Sequence, residues 1–158
     1  MSEWPVSLAG AMIAPGLIVT SLIVSVAIVC PASSFGMDTA AVDRLVATHT
    51  APGAPLLRAP LDGIDLAGGD LREADLRYAN LHAALLEEAN LAHAFLGGAD
   101  LSQANLRNAN LSGADLRDTN LSQADLEGAN LEGANLGEAN LDGARLAHAI
   151  MPDGARRP

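Results

Sequence analysis

The sequence predicts a solenoid domain built from five-residue units and preceded by one membrane-spanning helix. Leucine recurs at every fifth residue over eighteen consecutive units, and an apolar stretch without charged side chains, residues 8–30, precedes them. Apolar residues make up 49% of the 158 residues, but aromatic residues only 3%. The core must therefore be built from Leu, Ala, Val and Ile, and the length suits a single domain.

The apolar stretch is long enough to cross a bilayer. Residues 1–7 form an N-terminal tail, and the 23 residues of 8–30 would span about 34 Å as a helix. A cleaved signal peptide is the alternative, with residues 32–34 as its cleavage site. The tail contains no Lys or Arg, which a signal peptide needs, so we favour an uncleaved transmembrane helix or signal anchor.

The location of the repeat domain follows from the few charges near this stretch. Arg44 is the basic residue closest to it and lies on its C-terminal side. The positive-inside rule then favours a single-pass membrane protein with a cytoplasmic repeat domain. Secretion after signal cleavage is the alternative that stays open.

Residues 31–58 form a connector between the apolar stretch and the repeat. Within it, residues 38–50 are predicted as a short helix that begins at Asp38, with Val42, Leu45 and Val46 on its apolar face. The Pro- and Gly-containing residues 51–55 then interrupt regular structure.

The repeat itself is predicted over residues 59–153 and is followed by a C-terminal tail, residues 154–158. With the leucine position written as i, position i−2 is Ala in fifteen of eighteen units, with Ile64, Gly69 and Thr119 as exceptions. Position i−1 is mostly Asp or Asn. The predicted core leucines are Leu61, Leu66, Leu71, Leu76, Leu81, Leu86, Leu91, Leu96, Leu101, Leu106, Leu111, Leu116, Leu121, Leu126, Leu131, Leu136, Leu141 and Leu146.

A period of five fits neither an α-helix nor a β-strand. Successive leucines would drift by about 140° around a helix, and they would alternate between the two faces of a strand. The chain must instead turn once per unit, so that Leu at i and Ala at i−2 face a common axis. Asp, Asn and Gly suit such turns, because they hydrogen-bond to nearby backbone or accept unusual dihedral angles.

The tandem motif A[DN]LXX resembles the pentapeptide repeat proteins. Residues 74–76, 104–106 and 129–131 match it, and the resemblance covers residues 59–148, with 149–153 as a degenerate unit. It implies an all-β solenoid, a right-handed quadrilateral β-helix of about 4.5 coils. Residues twenty apart would then lie above one another.

The ends of such a rod need caps, because they expose unpaired edges. The helix at 38–50 could cover the N-terminal end. No helix can form after Ile150, so Ile150 and Met151 would lie at an open apolar end. Members of the family often dimerise through that end, so the resemblance implies a homodimer there.

The chemical groups point away from an enzyme, and we expect no cofactor. The single cysteine, Cys30, excludes an intramolecular disulfide and a Cys-based zinc site. His82, His93 and His148 fall on three different sides of the rod under the twenty-residue stacking, so we expect no metal site. Catalytic motifs are absent from the sequence, and a Leu-filled interior leaves no substrate pocket.

The charge allows two functions. Residues 59–153 contain sixteen Asp or Glu and five Arg, a net of −11, so direct nucleic-acid binding is not expected. The main hypothesis is a non-catalytic, membrane-anchored scaffold for a protein partner. The alternative is an acidic DNA mimic that inhibits a type II topoisomerase, a quinolone-resistance-like activity known in the family. We favour the scaffold, because the charge is spread over all four sides.

Three outward-facing apolar residues break the repeat pattern. Leu85 and Phe95 stand at i−1, where Asp or Asn belongs, and Tyr78 is assigned to the same side as Phe95. A contact with a protein partner would explain them. The alternative, which we favour, is that the connector helix packs over them and buries its own apolar face.

Overall fold

The computed structural model describes residues 39–158. The predicted membrane span at 8–30 lies outside the described residues. Within residues 39–158, no helix is long and apolar enough to cross a membrane.

Among residues 39–158 there is one α-helix, α1, which spans Thr39–Thr48 and precedes the repeat. It buries Leu45 completely and Ala41 almost completely in the same apolar cluster as the first leucines of the repeat. The helix ends at Thr48, and the next residue, His49, has a φ of 52° and donates its N–H to the Leu45 carbonyl oxygen. Helix α1 therefore extends the core at the N-terminal end of the repeat.

The repeat forms a four-sided β-helix. Seventeen parallel β-bridges join residues twenty apart, from the bridge between Thr50 and Asp70 to the bridge between Asn130 and Ile150. Each bridge is an isolated pair, and four of them occur in each coil. We name the four sides by their i−1 columns, which are 50, 70, 90, 110, 130 and 150 for side A, 55, 75, 95, 115 and 135 for side B, 60, 80, 100, 120 and 140 for side C, and 65, 85, 105, 125 and 145 for side D.

The first coil begins at Thr50, nine residues before the predicted start at 59, so the repeat has about five coils rather than 4.5. The motif misses the first nine residues of this coil because Thr50 and Pro55 replace Asp or Asn at i−1 and Ala51 replaces Leu at i. In later coils the i−1 N–H donates to the preceding coil, as Asp75 does to the Ala54 carbonyl oxygen. The first coil has no preceding coil beneath it, so proline loses no ladder hydrogen bond there.

Each unit uses the same backbone hydrogen bonds. In one central unit, the N–H groups of Leu106 and Asn108 donate to the following coil at 2.8 and 2.9 Å, and that of Asn105 donates to the preceding coil at 2.9 Å. The N–H of Ala109 closes the turn onto the Leu106 carbonyl oxygen at 3.1 Å. Position i+2 has positive φ in every unit from Gly53 to His148, which is the pattern of a type II turn.

The leucine column fills the interior. The leucines from Leu61 to Leu131 are at most 2% exposed. Those of the last coil, Leu136, Leu141 and Leu146, are only partly buried. The last coil thus has an apolar face that no further coil within residues 39–158 covers.

The C-terminal tail covers one side of this open end. It turns back after Pro152, and Arg156 forms an antiparallel bridge with Ile150. The Met151 N–H donates to the Ala155 carbonyl oxygen at 2.8 Å. Ile150 and Met151 are therefore half-buried, because this short turn closes side A without a helix.

Candidate interaction surface

The Asp and Asn side chains at i−1 hold the turns. Their Oδ1 atoms accept the backbone N–H two residues later, for example Asn110 from Ser112 at 3.1 Å. The same bond occurs at Asp65, Asp70, Asp75, Asn80, Asn90, Asp100, Asn105, Asp115, Asn120, Asp125, Asn130, Asn135 and Asn140. The prediction that these residues hydrogen-bond to nearby backbone is therefore confirmed, and the bonds hold the turns in place.

Three of these aspartates also hold an arginine two residues later. In each case the arginine Nε–H donates to Oδ1 and an Nη2–H donates to Oδ2, at 2.7 to 2.9 Å, in the pairs Asp70–Arg72, Asp75–Arg77 and Asp115–Arg117. The guanidinium lowers the pKa of each carboxyl below its usual range. The three arginines remain at least half exposed.

Side D carries a closed charge network. Arg107 and Arg145 each pair with both Asp125 and Glu127, at 2.7 to 3.3 Å. Glu87, one coil before Arg107, accepts a hydrogen bond from the Asn105 side chain at 3.4 Å. Arg107 and Arg145 therefore already form ion pairs with carboxylates on side D.

Side C contains an Asp–Ser–His chain. The Ser102 hydroxyl donates to Asp100 at 2.6 Å, and His82 Nδ1 lies 2.9 Å from the same hydroxyl oxygen. The single hydroxyl proton of Ser102 is directed to Asp100 and not to His82. Burial alone would raise the pKa of Asp100, but the hydrogen bonds from Ser102 and Asn120, together with the nearby His82, lower that pKa on balance.

Tyr78, Leu85 and Phe95 are exposed, at 62%, 44% and 48%. Our expectation that helix α1 covers them is wrong, because α1 buries Ala41 and Leu45 in the N-terminal end of the leucine core, while its Val46 stays 38% exposed. The structure also separates Leu85 from Phe95. Leu85 bridges on side D and Phe95 on side B, half a coil away.

Tyr78 and Phe95 share side B with groups that sequence reasoning missed. The Arg58 guanidinium carbon lies 5.8 Å from the centre of the Tyr78 ring, a cation–π contact. The Tyr78 ring leans over Gly98, where an added Cβ would lie 2.6 Å from it. Arg77, Gly97 and Arg117 lie twenty residues apart at position i+1. The stacking rule, applied to this position as well as to i−1, would have placed them beside Tyr78 and Phe95.

Among the described residues, no three His, Cys, Asp or Glu side chains are placed to hold a metal ion. His82, His93 and His148 belong to units on sides C, A and D. Two surface depressions lie at the ends of the rod. One is lined by Met151 and the C-terminal tail, and the other lies between α1 and the first coil.

A family model described as pentapeptide repeats matches residues 56–89, 84–123 and 119–153. No curated protein matches the sequence.

Solved structures of several pentapeptide repeat proteins are similar. One, Rfr23 from the cyanobacterium Cyanothece 51142, is 29% identical over 68% of this chain and 93% of that chain, with a TM-score of 0.40. Another, from the Arabidopsis thaliana thylakoid lumen, is 34% identical over 62% and 68%, with a TM-score of 0.33. QnrB1, a plasmid-mediated fluoroquinolone resistance protein, is 21% identical over 61% and 54%, with a TM-score of 0.42.

Proposed function

Because the chain belongs to the pentapeptide repeat family, we propose that it is a non-catalytic scaffold for protein–protein contact, anchored to a membrane by residues 8–30. The observation that carries this proposal is the exposure of Tyr78, Leu85 and Phe95 on a rod whose other large apolar side chains mostly face inward. Exposed aromatic side chains are enriched at protein interfaces. The bridge ladder holds them at constant spacing, which a scaffold needs.

Site-specific crosslinking tests the scaffold. A photoreactive phenylalanine analogue replaces Phe95 in the full-length protein in its host, and Ser112 on side A is the matched control position. We expect a discrete adduct from position 95 and none from 112. Absence of adducts from positions 78, 85 and 95 would contradict the proposal.

The membrane anchor has a separate test. A C-terminal reporter on the full-length chain, active only in the cytoplasm, should give signal in membrane fractions. Signal from a reporter that is active only outside the cytoplasm would overturn the cytoplasmic placement. A shortened soluble product would instead support signal cleavage and secretion.

We also propose a homodimer through the C-terminal end of the rod. Leu136, Leu141, Leu146 and Met151 form its half-covered apolar face. In a complete unit two N–H groups point toward the following coil but only one carbonyl does, so two identical ends cannot pair all their donors. Apolar contact must therefore supply most of the association.

Sedimentation of the full-length protein tests the dimer. Met151→Asp should convert a dimer to a monomer, whereas Ser112→Asp, on a side of the rod, should not. A wild-type monomer at every concentration contradicts the dimer.

The acidic surface supports a second candidate, the topoisomerase-inhibiting DNA mimic. The excess of sixteen acidic residues over five arginines within residues 59–153 is the observation that favours it. A supercoiling assay with the full-length protein tests it. Inhibition that salt abolishes would support mimicry, because it depends on surface charge. No inhibition would leave the scaffold as the function.

A further inference from the structure

We propose that the surface around Gly97 on side B docks a carboxylate-bearing segment of a protein partner, with an apolar side chain next to the carboxylate. This surface, the Gly97 patch, consists of Arg77, Tyr78, Phe95, Gly97 and Arg117. The inference rests on the proposed scaffold function and specifies its docking site and the chemistry of its partner.

Gly97 forms a gap between two arginines. In the i+1 column of side B, Arg77 lies one coil before Gly97 and Arg117 one coil after, about 10 Å apart along the axis at the usual strand spacing. A Cβ at Gly97 would have only the Arg117 carbonyl oxygen within 4 Å, at 3.7 Å. The gap therefore has room for a side chain from outside.

The two arginines retain hydrogen-bond donors. A guanidinium has five N–H donors, and the ion pairs with Asp75 and Asp115 use one Nε–H and one Nη2–H of each. Within residues 39–158, the remaining three N–H donors of each guanidinium have no acceptor. A carboxylate placed over Gly97 would supply acceptors in the geometry that arginine prefers.

The aromatic rings flank this gap. Phe95 stands two residues before Gly97, and the Tyr78 ring leans over Gly98 on the other side. Both rings are about half exposed or more, which leaves apolar area to bury. The two rings would contact an apolar side chain next to the carboxylate. Tyr and Arg are also among the residues that contribute most of the binding energy at protein interfaces.

Other arginines of the rod do not provide this combination. Arg72 on side A forms the same fork with Asp70, but its column neighbours are Pro52 and Ala92. Arg107 and Arg145 on side D are each bound to two carboxylates. Asp75 and Asp115, the ion-pair partners of the patch arginines, oppose a doubly charged phosphate more than a single carboxylate, so we assign the occupant as a carboxylate.

Binding to defined peptides tests the assignment. An array of short peptides, each with a central Glu or Gln and varied apolar flanks, is probed with the full-length protein, and the strongest soluble peptides are measured by fluorescence anisotropy. We expect Glu peptides with a neighbouring aromatic or aliphatic residue to bind, and their Gln counterparts to bind about tenfold more weakly.

Substitutions at Gly97 distinguish this site from a general effect on the fold. Its φ is not positive, so a side chain is accommodated there, and Gly97→Glu places a carboxylate of the chain itself in the gap. Gly97→Glu should weaken the peptides about tenfold, and Gly97→Ser should leave them unchanged. Arg77→Gln and Phe95→Ser should also weaken binding, whereas Arg72→Gln, the same ion pair on side A, should not. Circular dichroism confirms that each variant is folded.

Several outcomes would overturn the assignment. Binding that survives Gly97→Glu, or inorganic phosphate that competes better than acetate, contradicts a carboxylate site. Self-association that Gly97→Glu abolishes would identify a second copy of this chain as the occupant. If no peptide binds but crosslinks form at position 85, the Gly97 patch fails while the scaffold function stands.

Discussion

The repeat consensus and the structure predict opposite effects of Gly69→Ala on the stability of the protein. Gly69 stands at i−2, where fifteen of eighteen units have Ala, so the substitution restores the consensus. Its φ is not positive, and Gly→Ala at a compatible position usually stabilises by about 0.4–1 kcal/mol. The sequence therefore predicts a more stable protein.

The structure predicts the opposite. A Cβ on Gly69 would lie 2.8 Å from the His49 carbonyl oxygen and 2.9 Å from that of Leu66. Both oxygens are held in place, because His49 accepts the Asp70 N–H at 3.0 Å and Leu66 accepts the Gly69 N–H at 2.9 Å. Overpacking of this kind costs about 1–3 kcal/mol. After the entropic gain, we expect a net loss of about 1–2 kcal/mol.

Urea unfolding of the full-length protein, followed by circular dichroism, measures this loss. Gly97→Ala is the matched control, because its Cβ meets only an ordinary 3.7 Å contact and should stabilise by about 0.4–1 kcal/mol. If Gly69→Ala is as stable as the wild type or more so, the reasoning about the His49 carbonyl is refuted.

Three further predictions concern the core, a buried hydroxyl and acid stability. Leu106→Ala should cost about 2–5 kcal/mol in urea unfolding, and Leu141→Ala less than half of that, because Leu141 lies in the half-covered last coil; equal costs would contradict the open end. Thr119→Val should cost about 1 kcal/mol, since it removes the buried hydrogen bond from Oγ1 to the Leu96 carbonyl oxygen at 3.0 Å; an unchanged urea midpoint would show that this bond is dispensable. In the folded state, the arginine partner lowers the pKa of aspartates such as Asp75. The stabilisation that each ion pair gives is therefore fully present above the unfolded pKa of about 3.9, and it is lost as the pH falls through the folded pKa. The melting temperature should fall less with acid in Asp75→Asn than in the wild type, and identical pH profiles would refute that contribution.

Much of the repeat could be predicted from the sequence, because every unit repeats one local solution. The leucine period determined which residues face inward, and Asp or Asn at i−1 indicated the turn bonds, as at Asn110. The twenty-residue stacking placed His82, His93 and His148 on different sides. The start of the first coil was not predicted, because its backbone pairs with the next coil whatever side chains it carries, so Ala51 and Pro55 are tolerated.

The candidate site was predicted only in part. Tyr78 and Phe95 were recognisable as outward-facing exceptions, but their exposure depends on where helix α1 packs. Burial of Leu45 in the end of the core decided that position, and no periodicity reports it. The arginines around Gly97 were missed, although they lie twenty residues from Gly97 and the stacking rule applied to the i+1 column would have placed them beside it.

The sequence by itself determined the period, the inward leucines and the turn residues, since each depends on contacts within one unit or its copy. Tertiary structure decided where the first coil begins, how the tail closes one side after Pro152, and which surface side chains meet. It also reversed the expected effect of Gly69→Ala on stability, because the His49 carbonyl after α1 occupies the space that an alanine side chain needs. The physical reason is that a repeat encodes its own packing many times, whereas an end or a patch is made once, from residues distant in the chain.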